Sequence, residues 1–165
     1  MNRFHRTLAF SLVELVLAIG VAGFCLIAVF GLLPIGVQTN RAATSQTAAA
    51  GILVSIEADL RATPPTAPVR GGATTSVQYQ LSIPGNPVTS ATTLPPLYFT
   101  QEGTFSPTRE PQSRYRATVT FLPNDLGSAS ARTATRAYIK VSWPAADDSS
   151  IVAGSSETFA SFARN

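Results

Sequence analysis

The chain has 165 residues with 12 Lys or Arg, 9 Asp or Glu, a net charge of +3, one His and one Cys. Because His5 and Cys25 both precede Arg41, the rest of the chain lacks the side chains of Ser–His–Asp and Cys–His catalytic sites and of ordinary zinc sites. We therefore expect no enzyme, no bound metal and no cofactor.

Residues 7–37 form an apolar run with a single charged side chain, Glu14. The run exceeds the 18 residues or so that indicate a transmembrane helix, and it is about twice as long as the apolar part of a secretory signal peptide. Arg3 and Arg6 precede it, which favours a cytoplasmic N-terminus by the positive-inside rule. We predict a single-pass membrane segment whose C-terminal region lies outside the cytoplasm.

The start of this run has a specific order of residues. Ala9 is followed by FSLVEL at positions 10–15. These six residues resemble, in register, the class III signal of type IV pilins and pseudopilins, in which a small residue, usually Gly, precedes F-[ST]-L-[IV]-E-L. The resemblance extends along the helix to about residue 61 and covers the layout of the remainder more loosely. Ala9 stands where the family usually has Gly, which is one departure from the pattern.

The resemblance implies how the N-terminus is processed. A membrane-embedded prepilin peptidase would cut between Ala9 and Phe10 and would methylate the new N-terminus at Phe10. Leu12, Glu14 and Leu15 would belong to the segment used for recognition and assembly. Glu14 would become the fifth residue of the mature chain, and its carboxylate would pair with the terminal ammonium of a neighbouring subunit.

The resemblance also implies partners and a location. Besides the peptidase and the membrane, the partners would be other pilin or pseudopilin subunits and the inner-membrane assembly platform. The chain would span the inner membrane once, with its C-terminal head in the periplasm, and would then be extracted into a filament. A signal-anchor with an acid near the lipid headgroups is the alternative explanation of Glu14.

The apolar run contains Gly31, Pro34 and Gly36. Pro34 is expected to kink the helix or to melt it locally, which would make this stretch a flexible point for packing into a filament. Further on, apolar residues recur at i, i+3, i+7 and i+11 and predict one buried helix face: Ala49, Ile52, Ile56 and Leu60. Pro64 and Pro65 end the helix, so that residues 10–61 would span about 75 Å.

The remainder is expected to contain strands. Alternating apolar residues predict strands in SVQYQLSI (76–83, with Val77, Tyr79, Leu81 and Ile83 inward), in SRYRATVTFLP (113–123) and in TRAYIKVSWP (135–144). PPLYFTQ (95–101) is expected to be a short edge or loop-borne strand, and ETFASFARN (157–165) to be a terminal one. The predicted fold class is α+β, with a long helix packed on a small antiparallel sheet, as in the pilin lollipop.

The expected organisation has four parts. Residues 1–9 are a leader, 10–37 a transmembrane helix, 38–63 the extracytoplasmic part of that helix and 64–165 a β-sheet head. The last strands, YRATVTFLP and AYIKVSWP followed by a final strand, resemble minor pilins and the minor pseudopilins of type II secretion. The finer resemblance is to a prepilin-type family described in Verrucomicrobia, Verru_Chthon cassette protein B.

Several features of the head suggest other functions. Asp147 and Asp148 raise the question of paired catalytic carboxylates, but neighbours on an extended chain point apart, and Asp125 in PNDLG indicates a turn. A calcium site built from loop carboxylates and carbonyls is the other possibility, but no loop has the density of acids that it requires. Removal of residues 1–9 lowers Lys and Arg from 12 to 10 against 9 acids, so nucleic acid is not an expected partner. A basic face and exposed aromatic residues at a subunit interface are two further hypotheses: Arg109, Arg114, Arg116, Arg132 and Arg136; Tyr98, Phe99 and Phe105. The alternative function is a signal-anchored extracytoplasmic domain that binds DNA or an envelope component and does not polymerise.

Overall fold

A computed structural model describes residues 11–63, 73–85, 87–124, 134–146 and 151–163. The fold is α+β, as predicted: one long helix and an antiparallel sheet. The elements in chain order are α1 (Leu12–Ala62), β1 (Thr74–Thr75), β2 (Ser82–Ile83), β3 (Thr92–Thr93), β4 (Leu97–Phe99), β5 (Phe105–Ser106), β6 (Tyr115–Leu122), β7 (Thr135–Trp143) and β8 (Gly154–Phe162).

The chain divides into two compact units, Met1–Ala42 and Ala43–Asn165. Helix α1 contributes residues to both units. The helix is continuous through Pro34, so the predicted local melting at this proline does not occur. Its role as a flexible point stays a prediction.

In the second unit, one face of α1 is buried against the sheet. The four residues predicted for this face, Ala49, Ile52, Ile56 and Leu60, are all at most 5% exposed, and Leu53 joins them. Their spacing places them on one side of a helix with 3.6 residues per turn. The predicted amphipathic half of the helix is therefore confirmed.

The main sheet has the strand order β5-β4-β6-β7-β8, and β3 pairs with β6 beside β4. Strands β6, β7 and β8 form a long antiparallel meander, in which Val119 lies opposite Ile139 and Ile139 opposite Thr158. Alternate residues of β6 and β7 are buried, as predicted. The core that the described residues form is built from side chains at sequence positions 49 to 162. Because this core draws only on the second unit, we expect residues 43–165 to fold independently.

The prediction for residues 76–83 is confirmed for burial at three of its four inward positions, Tyr79, Leu81 and Ile83, but is wrong for most of the strand. Only Ser82–Ile83 form a strand, β2, which pairs with Thr74–Thr75, while Val77 is 71% exposed. The preceding residues form a loop in which Gln80 has a positive φ of 54°. The Ser76 N–H donates to Leu81 O at 2.9 Å and the Leu81 N–H donates to Ser76 Oγ at 3.0 Å. These local bonds replace the strand pairing that the alternation suggested.

The aromatic residues considered as a subunit interface belong to the core instead. Phe99 and Tyr98 are buried and Phe105 is half-buried. The ring of Tyr79 lies edge-on to Phe99 and to Phe105, with centroid distances of 5.6 and 5.2 Å. The segment 97–99 is also not at an edge, because β4 lies between β5 and β6.

Candidate functional site

The first unit exposes a large apolar surface on α1. Sixteen large hydrophobic side chains between Leu12 and Val37 are about half exposed or more, from Val37 at 49% to Leu12 at 79%. Each such side chain is stabilised by roughly 1.5–3 kcal/mol when it leaves water. Because about 60% of each side chain is exposed on average, the sixteen together account for about 15–30 kcal/mol, which exceeds the net stability of a typical domain. This surface must therefore be covered by lipid or by protein.

The length of the apolar segment fits a bilayer. Residues 15–37 contain no charged side chain and extend about 35 Å as a helix, compared with a hydrocarbon core of about 30 Å. Helix α1 is long and apolar enough to cross a membrane. The coarser prediction, a helix near the N-terminus that could anchor the chain, is confirmed.

Glu14 lies in the first turn of α1 as described, beside Leu15, whose N–H donates to Ser11 O at 3.1 Å. Across the described ranges, no hydrogen bond or ion pair reaches its carboxylate. A carboxylate next to an apolar segment has to be neutralised, hydrated or placed among headgroups. Any neutralising partner of Glu14 therefore lies outside residues 11–63 and the described parts of the head.

The other predicted site residues of this helix are surface positions. Leu12 and Leu15 are 79% and 56% exposed. A Cβ atom built at Gly31 or Gly36 meets nothing within 4 Å, so this chain alone does not require glycine there. Ala9 and Phe10, the predicted processing site, lie outside the described residues.

In the head, the structure shows a buried polar contact that the sequence analysis missed. Asp59 is only 6% exposed. Its Oδ1 accepts the N–H of Gln78 at 2.9 Å and its Oδ2 accepts the N–H of Tyr79 at 3.1 Å. The carboxylate thus ties the end of α1 to the loop before β2. A signal was present, because Asp59 lies three residues after Ile56 and seven after Ile52, on the buried face.

The described part of the head has at least two grooves. The larger, about 460 Å³, is mostly apolar, and its walls include Tyr79, Leu94, Leu97 and Phe105. The smaller, about 310 Å³, includes Glu102 in its wall. A hydrogen bond to the Thr100 side chain lowers the pKa of the Glu102 carboxyl. Neither groove pairs an acid with a base, a combination that general acid–base catalysis requires.

The described part of the head offers no cluster of metal-ligating side chains. There, no group of three or more His, Cys, Asp or Glu side chains could hold a metal; Asp125, Asp147 and Asp148 fall outside these ranges. Of the arginines considered as a basic face, Arg132 is likewise outside. Arg116 lies opposite Ser142 and Arg136 lies opposite Leu122. Leu122 is six residues beyond Arg116 along β6, so these two arginines are about 20 Å apart. Arg114 is only two residues from Arg116, and a basic face on the head stays a prediction.

The face of the sheet directed away from α1, called here the outer face, carries an aromatic and acidic group. The Tyr138 hydroxyl donates a hydrogen bond to Glu157, and the Tyr138 ring lies 5.0 Å from the ring of Phe159. Donation to the carboxylate, with some burial and the nearby negative charge, raises the pKa of Tyr138. Phe159 is 72% exposed. This pair forms an apolar patch at the edge of the outer face.

A scan against protein-family models and searches of curated proteins and of solved structures found no match to this chain. A functional assignment therefore depends on the residues and their geometry. The features that point most directly to a function are the exposed apolar half of α1 and Glu14 at its start.

Proposed function

We propose that this chain is a minor pilin-like or pseudopilin subunit, a structural component of a type IV pilus or a type II secretion pseudopilus. Prepilin peptidase cleaves it before Phe10, and α1 both anchors it in the inner membrane and joins it to neighbouring subunits. The observation that carries this proposal is the continuous helix α1. One half of it is exposed and apolar with a single acid at its start, and the other half packs on a sheet.

A subunit of this kind needs a surface that is stable first in lipid and then against other helices. The exposed apolar side chains of α1 serve both purposes, because neither environment supplies water. The absence of a charge between residues 15 and 40 lets the helix pass from one to the other at little electrostatic cost.

Glu14 gives such packing a defined register. A carboxylate and an ammonium 4 Å apart attract each other by about 4 kcal/mol at an effective dielectric constant of 20, compared with about 1 kcal/mol in water. A neighbouring subunit that offers its N-terminal ammonium at the level of Glu14 gains this attraction, less the cost of removing the two charges from water. A subunit that is shifted along the helix leaves a carboxylate unpaired among apolar side chains.

The test is substitution of Glu14 in cells that make the filament. Glu14→Ala and Glu14→Gln should insert into the membrane and be cleaved, but should be absent from the sheared filament fraction. Glu57→Ala is the matched control, since Glu57 lies on the same helix in the part that packs on the head and is not in the apolar segment. Membrane extraction, intact mass and immunoblotting of the filament fraction report the three steps separately.

Normal entry of both Glu14 variants into filaments would refute the proposed role in register. A chain that stays at full length and never leaves the membrane would favour the second function, a signal-anchored extracytoplasmic binding domain.

A further inference from the structure

The two edges of the main sheet differ. One edge is formed by short strands, β5 and β3, of two residues each, whereas the other is formed by β8, with nine residues. Short edge strands are one way in which proteins avoid unwanted strand pairing. β8 is too long to be protected in this way.

The pairing of β8 with β7 is unbroken. Every residue from Gly154, opposite Trp143, to Phe162, opposite Thr135, has a partner. In an antiparallel pair, about every second residue directs its N–H and C=O away from the partner strand. Within the described ranges, no backbone hydrogen bond joins these outward groups of β8 to another segment. β8 therefore presents a regular row of donors and acceptors.

Other protective features are also missing from β8. Its sequence, GSSETFASF, contains no proline and no lysine, and its register shows no bulge. Its only charged residue, Glu157, is on the outer face, where Tyr138 donates to it. The positions on the side of α1 are Gly154, Ser156, Thr158, Ala160 and Phe162, none of which is charged. Charges pointing inward, prolines and bulges are the usual means of blocking an edge.

The apolar patch lies next to this edge. Phe159 is 72% exposed although it contacts the Tyr138 ring on one side. A strand added at β8 would place a side chain about 5 Å from Phe159 and cover its free side. β7 shows which residues suit these positions, because it places Tyr138 opposite Phe159 and Lys140 opposite Glu157.

We propose that β8 is a strand-addition site, which binds an extended segment of another polypeptide that runs antiparallel to it. The segment carries an aromatic residue opposite Phe159 and a basic residue opposite Glu157, and its main chain supplies the hydrogen bonds. In strand addition, main-chain bonds provide affinity and alternate side chains provide specificity.

A second copy of this chain that pairs through its own β8 is not the occupant. Antiparallel pairing of two β8 strands would place a twofold axis perpendicular to the sheet, and that axis would reverse the helix residues 43–62 that pack on it. Two copies anchored in one membrane cannot run in opposite directions. This step alone depends on the proposed function. The two proposals fail in different experiments. Strand addition is tested by peptide binding at β8, and assembly is tested by the entry of Glu14 variants into filaments.

The probe is a synthetic peptide with the β7 sequence, TRAYIKVSW (residues 135–143), added to the full chain in detergent micelles. Two versions are N-methylated at alternate residues, so that one version loses the N–H groups directed at β8 and the other loses those on the far side. We expect the version that lacks the far-side N–H groups to bind like the unmodified peptide. The version that lacks the N–H groups directed at β8 should lose binding. Hydrogen exchange should show new protection in β8 and unchanged protection in β6 and β7.

A protein variant tests the patch. Phe159→Thr should weaken peptide binding about two- to fivefold, while Val77→Thr, at another exposed apolar position of the head, should leave it unchanged. Absence of binding, equal binding of both N-methylated peptides, or loss of protection in β7 through strand exchange would each overturn the proposal. Protection of β8 by dimerisation without peptide would also overturn it, because the occupant would then be a second copy.

Discussion

Replacement of Asp59 by alanine tests how the head is held together. The Asp59 carboxylate is buried at the end of α1 and accepts two backbone N–H groups, from Gln78 and Tyr79, about 20 residues further along the chain. The substitution removes both acceptors at once. It leaves the N–H of Tyr79 in a buried position without a partner, whereas the N–H of Gln78 is only partly buried, so that water can replace part of its bond.

The magnitude follows from these two environments. A hydrogen bond to a charged group contributes about 1.5–3 kcal/mol, and a buried donor left without a partner costs about 1–3 kcal/mol. With partial recovery of the Gln78 bond by water, we expect Asp59→Ala to lower the free energy of unfolding by about 2–4 kcal/mol. Asp59→Asn should lower the free energy of unfolding by less, because the amide oxygen still accepts one of the two N–H groups. The other N–H loses its bond, because the NH₂ group that faces it cannot accept.

Glu57→Ala is the matched control. Glu57 is also an acid near the end of α1, but it forms an exposed ion pair with Arg61 at 2.6 Å, with 28% and 54% of the two side chains accessible. Exposed pairs of this spacing contribute about 0.3–0.5 kcal/mol. The two variants therefore remove the same charge from neighbouring positions and should differ several-fold in effect.

The assay is urea unfolding of residues 43–165, followed by the fluorescence of Trp143, the only tryptophan. A change in midpoint at constant slope reports stability. If Asp59→Ala were no more destabilising than Glu57→Ala, the proposed tie between α1 and the loop would be wrong.

Three further predictions concern the head. Gly154→Ala should destabilise it by about 1–3 kcal/mol and alter Trp143 emission, because a Cβ atom there would lie 2.5 Å from Trp143 Cζ2; Ser155→Ala, at an exposed neighbour, should change neither quantity. Ile56→Ala, at a fully buried position, should cost about 2–5 kcal/mol, whereas Val54→Ala, at a side chain 66% exposed on the same helix, should cost less than about 0.5 kcal/mol; equal losses in urea unfolding would contradict the packing of this face on the sheet. Because the pKa of Tyr138 is raised in the folded state, its bond to Glu157 should stabilise the head below the ordinary tyrosine pKa and be lost as the pH rises through the folded value. Tyr138→Phe should remove this alkaline dependence, and an unchanged pH profile of unfolding would show that the bond contributes nothing.

The parts of the fold that the sequence predicted are those with long, regular periodicity. The buried face of α1 follows a helical spacing over twelve residues, from Ala49 to Leu60. Strands β6 and β7 alternate over eight or nine residues. In both cases one face is covered by a large core, so the pattern of burial and the pattern of the sequence coincide.

Short or non-local features were not predictable in the same way. β1, β3 and β5 have two residues each, too few to show a period. The segment 76–83 alternates like a strand, yet bonds to distant Asp59 and a positive φ at Gln80 hold most of it as a loop. Buried Asp59 could have been noticed, since an acid on an apolar helix face requires a partner, but the sequence does not indicate which backbone groups supply it.

At the candidate site, the sequence predicted an apolar helix with Glu14 near its start, and the structure places these residues on an exposed helical surface. The partners of this surface depend on other chains or on lipid, so they cannot be derived from one chain. The same holds for the processing of Ala9 and Phe10, which needs a peptidase.

The measurement that tests the central claim most directly is the intact mass and N-terminal sequence of the full chain extracted from membranes that contain prepilin peptidase. The proposed function predicts a mature chain that begins with N-methylated Phe10, with Glu14 at its fifth position. A chain that still begins at Met1 would contradict processing as a pilin-like subunit, and α1 would then be a plain signal-anchor.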